Sequence, residues 1–237
     1  MSSRSVLRTA ARWSMAGIGV AAGAYAASVG IAWSRYGRMS PRVDPVEHDE
    51  LLDRFMPVYE AGSRHHIRIA APAAATLTAA REMELLQSPI VRAVIKAREL
   101  ILRATPDDRS RPRGLLAEVR ALGWGVLAET ADREVVVGAV TQPWKANVVF
   151  RALPPGEFVA FRDPGYVKII WTLRADPVGD GTSIFRTETR VVSTDPEARA
   201  KFRRYWSFFS PGMALIRWAS LAPLKREAER RADEVPA

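Results

Sequence analysis

From Gly123 onward, apolar and polar residues alternate with a period of two, which is the spacing of β-strands that bury one face. Short segments rich in Pro, Gly and Asp separate these runs, and turns of this kind join antiparallel neighbours. An earlier run, RHHIRIAAP, alternates in the same way and ends at Pro72. The pattern predicts a seven-stranded antiparallel sheet, made of this early strand and of strands at 123–130, 133–142, 146–153, 157–163, 166–176 and 182–193.

Helical spacing predicts three helices around this sheet, and the segment 48–55 predicts one further short helical turn. The first covers 73–86, and the second covers 89–103 because Ser88 and Pro89 suit a helix cap and a first helical position. A long C-terminal helix begins at Thr194 or Asp195, since both fit a cap, and the prolines at 211 and 223 should kink or break it. Its bulky apolar residues recur every three or four positions and so form one stripe: Phe202, Trp206, Phe209, Met213 and Ile216.

The N-terminal region contains an uncharged stretch from Trp13 to Trp33 with arginines on both sides. Its length and its terminal tryptophans predict a single-pass membrane helix over 13–34, while Ala24-Tyr25-Ala26 leaves a cleaved signal peptide as the alternative. The domain organisation is then a basic tail (1–12), the anchor, a juxtamembrane linker (35–61) and a folded domain (62–232). Equal numbers of arginines flank the stretch, so the side of the membrane that carries the domain stays open.

Charge and composition exclude several functions. The net charge is +9, but all six charged residues before Asp44 are arginines, and without them residues 43–237 carry only +3. This balance gives no reason to expect nucleic acid as a partner. The chain has no cysteine and its three histidines all precede residue 67, which excludes thiol nucleophiles and a catalytic or zinc-binding histidine deep in the domain. We predict no catalytic residue, no metal ligand and no cofactor.

Several motifs together resemble those of a known superfamily: HHIRIAAPAAAT, GWGVLAE, REVVVGAVTQPW, FRDPGYVKIIWTL, FRTETRVVSTDPEARAKFRRYW and SPGMALIR. The chain resembles the START-like (SRPBCC) superfamily over about residues 48–231, and more narrowly a bacterial group within it. That superfamily includes the major birch pollen allergen, the START lipid-binding domains and the polyketide cyclases. The resemblance implies an α+β helix-grip fold, in which a curved seven-stranded antiparallel sheet wraps a long C-terminal helix and leaves a hydrophobic cavity between them.

Strand alternation indicates which side chains face such a cavity. Phe185, Thr187 and Thr189 share one face of the last strand, and Ile169 and Trp171 share one face of its neighbour. These rows would meet the aromatic stripe of the C-terminal helix, although plain core packing would explain the same pattern. The candidate ligand-binding residues are Trp144, Phe161, Ile169, Trp171, Phe185, Thr187, Thr189, Phe202, Trp206, Phe209 and Met213.

Arg186, Glu188 and Arg190 lie on the opposite face of the last strand. They suit an acid/base or anion-binding site, but strand parity favours a solvated outer face on which Glu188 pairs with Lys168 or Arg174 of the neighbouring strand. Adjacent histidines at 65 and 66 face opposite ways in a strand, so they do not form a metal pair.

These patterns lead to three functional hypotheses. The first is a membrane-tethered domain that binds a lipid or other hydrophobic small molecule without catalysis. The second is an enzyme of the polyketide cyclase or hydrolase kind that acts on a hydrophobic substrate. The third is an interaction module with a solid core. The expected partners are a hydrophobic small molecule or lipid and a membrane, and the oligomeric state stays open.

Overall fold

The structure is a computed structural model that describes residues 19–20, 22–38, 48–105, 112–179 and 181–234. The predicted basic tail (1–12) and residues 13–18 and 21 of the predicted membrane helix lie outside the described residues. Residues 22–35 are helical and are labelled α1. Within the described ranges, none of the helices combines the length and the apolar character that crossing a membrane requires.

One antiparallel sheet forms the centre of the molecule, as the alternation predicted. Its strands run in the order β1-β6-β5-β3-β2, with the short β4 paired to β3. In the described part of the chain the sheet consists of β1 (Ala61–Ile69), β2 (Gly125–Thr130), β3 (Glu134–Thr141), β4 (Phe150–Arg151), β5 (Val167–Pro177) and β6 (Ser183–Ser193).

Within the described residues, six further helices and one 3-10 turn pack around the sheet. The predicted helices at 73–86 and 89–103 are present, each slightly shorter than expected, and a helix just before β2 was not predicted. The elements are α2 (Glu50–Phe55), α3 (Ala73–Glu82), the 3-10 turn Leu85–Gln87, α4 (Pro89–Leu102), α5 (Leu115–Ala121), α6 (Pro155–Ala160) and α7 (Pro196–Glu234).

The prediction of seven strands was wrong by one, because the segment at 157–163 is not a strand. Its first half belongs to α6, which has Pro155 at its first turn. Proline has no N–H to donate to a β-ladder, and its fixed φ suits the start of a helix. The side chain of Phe158 is fully buried beside α2 and the sheet. The segment therefore covers a face of the sheet instead of extending it.

The C-terminal helix α7 begins where the sequence placed it and continues for 39 residues. Of the two candidate caps, Asp195 is the one used: its Oδ1 accepts hydrogen bonds from the backbone N–H groups of Glu197 (2.8 Å) and Ala198 (2.9 Å). Oδ2 also accepts from the N–H of Gly165, which ties the start of the helix to the turn before β5. Pro211 and Pro223 lie inside α7 without ending it.

The two faces of the sheet are covered differently. On one face α7 and α3 pack against β1, β5 and β6. On the other face lie α2 and α6, where Leu52, Phe55 and Met56 are buried against the sheet. Residues 48–60 belong to the predicted linker, whose expected short helical turn at 48–55 is present as α2, and they form part of the packed structure. An antiparallel sheet held on one face by a long C-terminal helix is the arrangement of a helix-grip fold, so the α+β helix-grip part of the predicted fold class is confirmed.

Candidate functional site

A cavity of about 280 Å³ lies between the sheet and α7. Its floor is the face of β5 and β6 that carries Ile169, Trp171, Phe185, Thr187 and Thr189. Strand alternation places these side chains together, and the pairing of Trp171 with Thr189 sets the two strands in register. The predicted inner face is therefore the floor of the cavity.

The opposite wall comes from one side of α7. Phe202 contacts both Tyr205 and Trp206, with ring centroids 6.0 and 5.7 Å apart. Met213, two turns of the helix beyond Trp206, also lines the cavity. Eight of the eleven candidate ligand-binding residues are in the wall: Ile169, Trp171, Phe185, Thr187, Thr189, Phe202, Trp206 and Met213.

The other three candidates lie outside the wall. Trp144 packs against the buried cluster that contains Phe202, next to the cavity residue Pro143. Phe161 follows α6 and contacts the ring of Tyr166 edge-on at 5.7 Å. Phe209 shares the helical stripe but stacks on Tyr205 at 4.8 Å and does not border the cavity.

Sequence reasoning missed one end of the cavity, where Trp124 and Phe150 stack with ring centroids 4.9 Å apart. This contact depends on Gly123, whose φ is +102° and where a Cβ would lie 2.2 Å from the carbonyl oxygen of Phe150. The GWG motif signals a special backbone position, but it does not say that β4 approaches there. That approach is a tertiary contact and has no local pattern.

Among the described residues that line the cavity, Arg217 is the one with a charged side chain, and it was not among the predicted site residues. Its guanidinium lies 5.0 Å from the centre of the Trp171 ring, and Nη2 is 3.5 Å from Oγ1 of Thr189. Burial lowers the pKa of Arg217 to about 10, so the side chain remains a cation near neutral pH. Arg217 follows Met213 by four positions, so a charge on an apolar stripe was the signal available.

Two polar groups near Arg217 lack hydrogen-bond partners within the described residues. Thr187 is 4% exposed, and its Oγ1 is buried and unpaired. His65, which faces Thr187 across the β1–β6 pair, has a buried Nδ1 that is also unpaired. Burial and the positive charge of Arg217 lower the pKa of His65, which keeps this imidazole neutral at physiological pH.

The cavity wall offers few side chains that could act as a general acid or base. Among the described residues that line it, none is Asp or Glu. The hydroxyl of Tyr205 accepts a hydrogen bond from Nε of Arg98 at 3.2 Å. The same part of the chain holds no group of three or more His, Asp or Glu side chains placed to bind a metal ion.

The opposite face of β6 is not solvated, contrary to the sequence interpretation. Arg190 is completely buried under α2: its Nε donates to Glu188 at 2.7 Å and its Nη1 to Asp53 at 2.6 Å. Arg64 also contacts Glu188 at 3.0 Å. Parity assigned Arg186, Glu188 and Arg190 to the correct face, but the helix that covers this face lies more than 130 residues earlier in the sequence.

The predicted cross-strand pairs of Glu188 are also wrong. Lys168 lies over Phe158, and its Nζ donates to the carbonyl oxygens of residues 158 and 159; burial lowers its pKa to about 8. Arg174 instead contacts Asp176 at 2.8 Å, and Arg186 contacts the same carboxylate at 3.1 Å. Lys168 thus ties α6 to the sheet, while Arg174, Asp176 and Arg186 form ion pairs on the strands, and none of these four is among the described residues that line the cavity.

A pair of carboxylates completes this buried polar layer. Asp49 caps α2 by accepting the N–H of Leu52 at 2.8 Å, and it lies beside Glu134 of β3. Thr172 donates its hydroxyl to Glu134 at 2.9 Å. Burial first, and then the negative charge of Asp49, raise the pKa of Glu134.

The geometry defines a helix-grip domain with an apolar cavity, and comparisons with known proteins add three distant structural likenesses. CalU16 from Micromonospora echinospora is 11% identical over 73% of this chain and 97% of its own, with a TM-score of 0.24. The ZhuI aromatase/cyclase from a Streptomyces species is 16% identical over 72% of this chain and 94% of its own, with a TM-score of 0.25. Ara h 8.0201 is 10% identical over 66% of this chain and 97% of its own, with a TM-score of 0.19.

No family model and no curated protein sequence matches this chain. At the identities and TM-scores given above, the three likenesses carry no argument about activity. The assignment to the helix-grip class therefore rests on the order of the elements, the antiparallel pairing and the position of α7.

Proposed function

We propose that this chain binds a lipid or other hydrophobic small molecule in the cavity between the sheet and α7, as a carrier or receptor and not as an enzyme. The observation that carries the proposal is the cavity itself, with its floor of Ile169, Trp171 and Phe185 and its wall of Phe202 and Trp206. Aromatic and aliphatic surface of this kind gains free energy when an apolar ligand displaces water from it.

The size of the cavity supports a small ligand. Sites for small molecules typically measure about 300–1,000 Å³, and the cavity of about 280 Å³ found here lies just below this range. An interaction module with a solid core would have α7 packed flush against the sheet, with Trp171 and Trp206 in a continuous core. The open volume between them favours ligand binding over that alternative.

The enzyme hypothesis receives less support. A cyclase or hydrolase needs proton donors and acceptors within hydrogen-bond reach of the substrate. In the described part of the wall the polar groups are hydroxyls and one guanidinium, with no carboxylate among them. A guanidinium with a pKa of about 10 is a poor general base near neutral pH.

Two neighbouring residues of α7 provide the test. Ile216 borders the cavity, whereas Leu215 beside it is 42% exposed. We expect Ile216→Trp to fill the cavity and weaken binding of the neutral fluorescent probe N-phenyl-naphthylamine by about tenfold or more, because the added ring occupies the ligand's space. Leu215→Trp adds the same ring outside the cavity and should leave the probe affinity within about twofold.

Probe titrations of the full chain measure both affinities, and thermal unfolding confirms that each variant is folded. If the wild type takes up no probe, or if both tryptophan variants bind it as the wild type does, the cavity is not a binding site. Should Ile216→Trp prevent folding, Ser220→Phe tests the same wall from the next turn of the helix.

We also propose that the N-terminal segment anchors the domain in a membrane. The support is the uncharged stretch from Trp13 to Trp33, together with the exposure of Tyr25, Ile31 and Trp33 (40%, 52% and 42%) on the helical part of that stretch. An alkaline carbonate wash of membranes tests the anchor, since a spanning helix keeps the chain in the pellet and a cleaved or peripheral segment releases it.

A further inference from the structure

A polar cluster borders the apolar cavity, and we define it as Arg217, Thr187, Thr189, Ser63 and His65; the first four line the cavity, and His65 lies opposite Thr187 on the neighbouring strand. Antiparallel pairing brings its strand members together, because His65 lies opposite Thr187 and Ser63 lies opposite Thr189. All four share the face of β1 and β6 that looks toward α7. Arg217 reaches this group from α7 through its contact with Thr189.

Arg217 lacks a counter-ion in the part of the chain that the structure describes. Its recorded partners are the face of Trp171 and the hydroxyl of Thr189, and neither carries a negative charge. By contrast, Arg190 on the other side of the sheet is held by Glu188 and Asp53. Burying a cation is costly unless it is paired, so Arg217 sits in a site that an anion would stabilise.

The cluster also offers hydrogen bonds that the protein leaves unused. Within the described residues, Oγ1 of Thr187 is buried and has no partner, although Thr187 borders the cavity. A buried hydroxyl without a partner carries a free-energy penalty that a ligand atom can remove. A guanidinium and an unpaired hydroxyl on one side of an apolar cavity together form a site for an oxyanion.

We propose that the ligand of this cavity is a hydrophobic carboxylate, held by Arg217 and the hydroxyls of Thr187 and Thr189, with its apolar body against Trp171 and Phe185. The inference rests on the proposed binding function and gives its ligand a chemical class. One guanidinium matches the single charge of a carboxylate and its two oxygens. A phosphate monoester carries up to two charges, which would leave one unbalanced in apolar surroundings.

The test compares three ligands with the same alkyl chain: decanoate, decanol and decyl phosphate. The full chain is held in zwitterionic nanodiscs, and calorimetric titrations are corrected with empty discs. We expect decanoate to bind about tenfold or more tightly than decanol, as charge-assisted hydrogen bonds predict, and more tightly than decyl phosphate. In Arg217→Met the ratio of the decanol and decanoate dissociation constants should fall to about one.

A matched control is Arg226→Met, which removes an exposed arginine from the same helix and should leave the ratio as in the wild type. A wild type that binds decanol but does not prefer decanoate, or a preference that survives Arg217→Met, overturns the carboxylate site while the proposed function stands. Tighter binding of decyl phosphate overturns the choice of carboxylate. Binding of none of the three ligands overturns the proposed function itself.

Two further variants keep the test decisive if Arg217→Met does not fold. Thr187→Val and Thr189→Val remove one hydroxyl each and preserve the shape of the side chain. Each should reduce the preference for decanoate by a few fold, because the carboxylate loses one hydrogen bond. An unchanged preference in both variants would show that the polar cluster does not hold the carboxylate.

Discussion

Two arginines lie on opposite faces of the sheet, Arg190 completely buried and Arg217 half-buried in the cavity wall, and they differ in how their charge is balanced. Arg190 has two carboxylates, the carbonyl oxygen of Met56 and the ring of Tyr59 around it. Arg217 has the ring of Trp171 and the hydroxyl of Thr189. A neutralised arginine holds structural elements together, whereas an arginine without a counter-ion, placed in a cavity wall, is suited to bind an anion.

At the residue scale, alternation along β5 and β6 was enough to predict which side chains face the cavity. The same alternation could not predict that Glu188 and Arg190 are buried, because strand parity assigns a face and not what covers it. The role of Arg217 could not be predicted, because it depends on contacts with Trp171 and Thr189. These residues are distant in sequence and contact Arg217 only in the folded chain.

Glu134 leads to a prediction of pH dependence. Burial beside Asp49 raises its pKa from 4.5 to about 8 in the folded state. Between these values the folded protein keeps a proton that the unfolded chain has lost, so stability falls as the pH rises and levels off above about 8. Glu134→Gln, which resembles the protonated side chain, should lack this fall and be more stable than the wild type at alkaline pH.

Urea unfolding across the pH range measures this effect. As the pH rises, the free energy of unfolding of Glu134→Gln should increase relative to that of the wild type. The total increase should be about 1.4 kcal/mol for each unit by which the pKa of Glu134 in the folded state exceeds that in the unfolded state. Glu157→Gln removes an exposed carboxylate from α6 and serves as the control. A constant difference between Glu134→Gln and the wild type at all pH values would contradict the raised pKa.

At the scale of elements, the sequence predicted the long helices and the strands but not what covers the outer face. The stripe of α7 and the cap at Asp195 are local signals, and both were sufficient. The sequence indicated a short helical turn at 48–55, where α2 lies, but not its packing, and the six residues of α6 are too few for a periodic pattern to identify. Their places follow from the burial of Leu52 and Phe158 against the sheet, which is a tertiary effect.

The role of α2 can be tested by truncating its buried side chain. Leu52 is fully buried, and Leu52→Ala should lower the free energy of unfolding by about 2–5 kcal/mol through lost packing and a new cavity. Leu100→Ala makes the same change at a side chain that is 69% exposed and should cost less than about 0.5 kcal/mol. Equal costs in chemical denaturation would mean that residues 48–60 are a linker after all.

At the scale of the whole molecule, both faces of the sheet are covered, and the sheet separates a buried polar layer from an apolar cavity. One face carries charged pairs under α2, and the other carries the apolar cavity under α7. The resemblance to the START-like superfamily implied the cavity, and the order of elements agrees with it. Sequence could not give its volume, because a void depends on how far α7 stands from the sheet.

The most direct test of ligand binding is native mass spectrometry of the full chain, purified under mild conditions from the cells that express it. We predict a mass above that of the polypeptide, and the additional mass should belong to a hydrophobic small molecule that organic solvent releases. This additional mass should be lost in Ile216→Trp but not in Leu215→Trp. A bare polypeptide mass that stays unchanged after incubation with decanoate and decanol would contradict the account.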